Sequence, residues 1–76
     1  MKYQQENLRA ALSSRETDVL KCLAQGLSNK DIAVTMRLSP STVKRHVENI
    51  LRKLRLKNRV EAAVYAISNA SGRRRA

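Results

Sequence analysis

The chain has no tryptophan and no phenylalanine, and tyrosine occurs only twice among its 76 residues. Without large rings a core must be assembled from Leu, Val, Ile and Ala, and a chain this short has room for one such core. Two glycines and one proline are too few for a turn-rich β fold or a collagen-like or low-complexity chain, so helices are favoured. The single cysteine, Cys22, excludes an internal disulfide framework and any Cys/His metal spacing; a buried or half-buried thiol in a reducing cytoplasm is the expectation. No apolar run approaches the roughly 18 residues of a membrane span, and the N-terminus lacks an apolar signal region. A phosphate-cradling Gly-rich loop, paired carboxylates and metal spacing are all missing too. We therefore expect no enzyme, no catalytic residue, no cofactor, no metal and no small-molecule ligand.

Acidic residues are also scarce. Six Asp and Glu stand against sixteen Lys and Arg, a formal charge of +10. That balance suits a polyanion, nucleic acid first and an anionic membrane second, or else a solubilising surface. The distribution of the charge has to choose.

Four helices can be read along the chain. Residues 1–11 carry scattered apolar positions and read as a linker or a short leading helix. Ser13 followed by Glu16 is a capping-box signature, and Val19, Leu20, Leu23 and Ala24 repeat at helical spacing up to Gly26, a natural left-handed closing residue. Ser28 caps a second short helix with Ile32, Ala33 and Met36 inward, ending near Arg37. Ser39-Pro40 starts a third, since proline at the first helical position loses no hydrogen bond. On this helix Val43, Val47, Ile50, Leu51 and Leu54 gather on one side, while Ser41, Lys44, Arg45, Glu48 and Arg52 gather on the other. Asn58 with Glu61 opens a fourth, expected to end near Ala70 before a flexible basic tail over residues 71–76. The fold class expected is all-α, with residues 12–70 as the domain. Two short helices joined by a few residues, the second basic on its outer face, make a helix-turn-helix over about 28–54. Seven basic residues fall between positions 44 and 59, namely Lys44, Arg45, Arg52, Lys53, Arg55, Lys57 and Arg59. That clustering favours a double-stranded DNA surface over scattered solubilising charge.

Several strings carry a family likeness: Leu12 with Arg15-Glu16, Gly26-Leu27-Ser28-Asn29-Lys30, Ile32-Ala33, Ser41-Thr42-Val43-Lys44 with His46-Val47, and Asn58-Arg59 before an Ala-rich helix. Over residues 12–70 the chain resembles the LuxR/NarL-type (FixJ/GerE-like) DNA-binding domain of bacterial transcription regulators, a four-helix domain. It departs at Ser14, where many members have proline, and at Arg37, where many helix-turn-helix proteins have Gly or Asn; at positive φ an arginine there would be strained. The resemblance implies that Lys44, Arg45 and Glu48 read base edges, cations favouring guanine O6 and N7 and the carboxylate accepting from cytosine N4. It likewise implies phosphate contacts from Lys30, Ser39, Ser41, Thr42, Arg52, Lys53 and Lys57. Glu48 is equally placed to pair with Lys44 or Arg52 four residues away, and His46 reads as a packing or phosphate-bonding imidazole.

On the fourth helix Ala62, Ala63, Ala66 and Ala70 share one side, and Val60, Val64 and Ile67 form a second stripe. By resemblance that stripe is the surface of a weak homodimer; extension of a small core is the alternative. The implied function is sequence-specific DNA binding in transcription regulation, as the output domain of a two-component or ligand-sensing regulator or as a free-standing small one, with RNA polymerase as a further partner. A promoter-binding module of a sigma factor resembles the LxxRExxVL and TVK patterns but lacks the Asn58–Ala63 helix. A module docking an acidic partner protein remains the alternative from another class.

Overall fold

The computed structural model describes residues 11–75, with side chains over 11–68. Among them four α-helices follow one another: α1 (Ser14–Ala24), α2 (Asn29–Met36), α3 (Pro40–Leu54) and α4 (Arg59–Arg75). α1 packs against both α3 and α4, and α2 rests on α3. Between them lies a core of Val19, Leu20, Leu23, Ile32, Ala33, Val43, Val47, Ile50, Leu54, Ala62 and Tyr65, with Cys22 at its edge. Burial pushes the Cys22 thiol above its usual range, with the Asp18 carboxylate adding to the effect; the group is a small apolar filler.

Each helix begins where local chemistry supplies an acceptor for an orphan N–H. Ser13 Oγ accepts from the Glu16 N–H at 3.1 Å while Glu16 Oε1 accepts from the Ser13 N–H at 3.0 Å, a complete capping box. Ser28 Oγ accepts from Asp31, and Ser39 Oγ from Thr42, each at 3.1 Å. Asn58 Oδ1 accepts from the Glu61 N–H at 3.0 Å, and the Glu61 carboxylate takes the Lys57 N–H at 2.8 Å, one residue before the position the capping-box pattern predicts.

The first three helices all end in the same way. The residues Gly26, Arg37 and Arg55 adopt φ of 82°, 58° and 58°. In each case the leucine that follows donates back to a carbonyl five residues earlier: Leu27 to Cys22 at 3.2 Å, Leu38 to Ala33 and Leu56 to Leu51 both at 2.9 Å. This is the Schellman closure, in which the residue after the left-handed one turns inward. Leu27, Leu38 and Leu56 accordingly pack on the core. A Cβ added at Gly26 would meet nothing within 4 Å, so glycine is required there for its φ and not for space.

Two expectations change. α4 continues to Arg75 instead of stopping near Ala70, because no proline interrupts residues 60–75 and a helix that has started propagates cheaply. Tyr65, which falls outside both of the stripes read from the pattern, is buried beside Ala62. The proposed linker or leading helix lies, apart from Ala11, outside the described residues, as does the side chain of Ala70.

Candidate nucleic-acid interface

α3 has a strongly two-sided surface. Val43 and Ile50 are fully buried, and Val47 and Leu54 nearly so. About half a turn away Ser41, Lys44, Arg45, Glu48 and Arg52 are exposed. The buried row fixes the rotation of the helix about its own axis, and that rotation in turn presents Lys44 and Arg45 to solvent. Neither cation has a hydrogen-bond or ion-pair partner among the described residues. Glu48 pairs with neither Lys44 nor Arg52; the only ion pair in this set is elsewhere. Arg52 instead donates to Asn49 Oδ1 at 2.7 Å.

At the N-terminus of α3 three hydroxyls converge. Ser39 Oγ lies 2.8 Å from Thr42 Oγ1 and 3.2 Å from Ser41 Oγ, at a helix end whose free N–H groups favour an anion. Lys30 is exposed in the first turn of α2, and Lys57 beyond the end of α3. α2 crosses behind α3 through the small, buried Ala33, which leaves the outward face of α3 uncovered.

Two of the seven clustered cations are engaged by other residues of the domain. Lys53 Nζ donates to Glu16 Oε1 at 2.8 Å and to the Ala11 carbonyl at 3.3 Å. Lys53 therefore stands on the flank of α3 that faces α1, where a phosphate would compete with Glu16 for its ammonium. Arg59 is turned inward as well. Its guanidinium donates to Asn29 Oδ1 at 2.7 Å and to the Leu27 carbonyl at 2.8 Å, clamping the start of α2 from α4. Both contacts join residues about thirty or more positions apart, so no local pattern announces them.

Glu16 is the one buried charged side chain of the described core. Burial alone would push its carboxyl up; hydrogen bonds from Lys53 and Ser13, with the positive potential of Lys53 and His46, outweigh that and hold it below the usual glutamate range. His46 lies partly buried on the same flank, with its Nδ1 buried and unbonded. A carboxyl whose folded-state pKa is depressed contributes stability above its unfolded value of about 4.3, and that contribution is lost as pH falls through the folded value. We therefore expect Glu16→Gln to melt below the wild type at neutral pH and the gap to close as pH is taken from about 5 to 3. A gap that stays constant over thermal melts in this range would show that the charge at Glu16 contributes nothing.

A short brace helix crossing behind a longer one whose bare cationic face is held outward defines a helix-turn-helix DNA-binding domain. The chain belongs to the bacterial regulatory proteins of the luxR family, whose model matches residues 10–66. It is 56% identical over 54 residues to the nitrate/nitrite response regulator protein NarL of Escherichia coli K12, covering 71% of this chain and 25% of that protein. To NarP of the same organism it is 50% identical over 60 residues, 79% of this chain and 28% of the relative. The response regulator protein VraR of Staphylococcus saprophyticus is 39% identical over 66 residues, 87% of this chain and 32% of VraR. The chain thus spans between a quarter and a third of the length of these relatives. No described helix is long and apolar enough to cross a membrane.

Proposed function

We propose that this domain binds double-stranded DNA sequence-specifically with α3 in the major groove, in the cytoplasm, as the output domain of a response regulator or as a free-standing small regulator. The observation that carries the reading is the bare face of α3, with Lys44, Arg45 and Glu48 exposed and unpaired above a fully buried opposite face. A groove about 12 Å wide admits one helix, and outward side chains at this spacing then meet base edges. Lys44 and Arg45 are the guanine readers, and Glu48 accepts from a base amino group. An anion facing a polyanion is unfavourable unless such a donor meets it, which makes Glu48 a discriminating residue and not an affinity residue. Lys30, Ser39, Ser41, Thr42, Arg52 and Lys57 set the register on the phosphates. Catalysis has no part in this reading.

Selection of bound duplexes from a random DNA pool, followed by salt titration of the best binder, tests it. With three cationic phosphate contacts per domain, Lys30, Arg52 and Lys57, the log–log slope of affinity against salt is expected on the order of −3. Affinity that stays flat as salt is raised several-fold would remove the reading.

The same proposal includes a weak homodimer through α4. Val60, Val64 and Ile67 are 67%, 56% and 52% exposed, an apolar strip with no cover within the domain. Val64→Glu should leave the melting temperature within a few degrees and abolish the concentration-dependent increase in sedimentation coefficient on a two-half-site duplex. Unchanged pairing would move the dimer surface elsewhere. RNA polymerase is the further partner expected of a transcription regulator, and co-purification of the core enzyme with this chain tests it.

A further inference from the structure

The three helix closures differ in one respect that sequence spacing alone does not explain. All use the same left-handed residue followed by an inward leucine, yet the residue is glycine once and arginine twice. Glycine holds the closure between α1 and α2. Arginine holds the two closures that flank α3, Arg37 just before it and Arg55 just after it. For any side chain with a Cβ this backbone region is strained, and only Asn and Asp tolerate it with some ease. Neither arginine recovers the strain through a contact: both are exposed, and neither side chain has a hydrogen bond or ion pair among the described residues. Helix-end electrostatics do not account for Arg55 either, because Arg52 and Lys53 already occupy the last turn of α3.

We infer that Arg37 and Arg55 are anchors on the two phosphate backbones that border the groove, one at each end of the recognition helix. α3 has 15 residues and is therefore about 22 Å long, more than the roughly 12 Å width of the groove it would occupy. Its two ends fall over opposite strands, where a guanidinium can donate two parallel hydrogen bonds to one phosphate. The backbone strain is the cost of holding a forked cation at each end, where glycine would make the better closure. This assignment rests on the DNA-binding reading above and gives a role to two residues that the base-reading and phosphate-contacting sets leave out.

The test uses the full chain, a fluorescent duplex of arbitrary sequence about two helical turns long, and two readouts of opposite expected sign. Arg37→Gly and Arg55→Gly should each melt at or above the wild-type temperature, since glycine relieves the strain. Each should also bind the duplex about eight-fold more weakly near 0.1 M salt and lower the salt slope by about 0.9, the signature of one lost phosphate contact. Arg37→Lys and Arg55→Lys should retain most of the salt slope without the gain in melting temperature. Glycine variants with wild-type affinity and slope would overturn the assignment and leave the arginines as helix closures only. A melting temperature that falls on substitution by glycine would overturn it from the other side, showing that the arginines stabilise the closure. A wild-type chain that binds no duplex at any salt would remove the DNA-binding reading itself, an outcome distinct from both.

Discussion

Substituting Lys44 or Arg45 by alanine is expected to lower affinity for a selected operator by roughly 1 to 3 kcal/mol each, a loss of about five- to 150-fold. The loss should concentrate at one base pair per residue, so that the preference for guanine there relaxes while the rest of the site keeps its ranking. Affinity for arbitrary duplex should fall far less, by what one charge contributes to the salt slope. The fold should not register the change: both side chains are exposed and make no hydrogen bond or ion pair with any described neighbour, so thermal stability should stay within about 0.5 kcal/mol of wild type. Binding selections repeated on each variant provide the measurement. Equal weakening on every sequence would reassign the residue from base reading to phosphate contact.

A second large effect is expected at the opposite face of the same helix. Ile50 is fully buried at the centre of the row that includes Val43, Val47 and Leu54. Truncation to alanine removes three carbons and leaves a cavity, at a cost of about 2 to 5 kcal/mol. A domain of 76 residues has a total stability of only about 4 to 11 kcal/mol, so Ile50→Ala should lose ten degrees or more in melting temperature and be largely unfolded at the unfavourable end of that range. Leu51 is a useful control. It is the adjacent residue and of the same size, but only partly buried, and its truncation should cost clearly less. Operator DNA in excess should recover part of the lost stability, because a ligand that binds only the folded state stabilises it by mass action. Equal melting of the Ile50 and Leu51 variants by circular dichroism would contradict the assigned rotation of α3.

That rotation was legible beforehand because it depends on periodicity within one helix. Val43, Val47, Ile50 and Leu54 repeat at three- and four-residue spacing, and a period of 3.6 converts such a row into a face without reference to anything else in the molecule. Helix starts were legible for the same reason: Ser13, Ser28, Ser39 and Asn58 each act on an N–H group three residues away. Tyr65 was not legible, since an aromatic with a polar tip fits a core edge and a surface equally well. The far end of α4 was missed because Ser71-Gly72 reads as a stop by propensity, while propensity is only a weak determinant once a helix is under way.

The cations divide along the same line. By its own composition and spacing the chain determined a four-helix domain with an outward basic helix, because charge balance, caps and hydrophobic period are properties of neighbouring residues. Which cations are available to a polyanion was decided only by tertiary packing. Lys53 and Arg59 look identical to Lys44 and Arg45 in a sequence, but a buried carboxylate on α1 and the carbonyl of Leu27 claim them. A buried acceptor must be satisfied and its distant donor is chosen by three-dimensional proximity, a quantity that no window of adjacent residues contains.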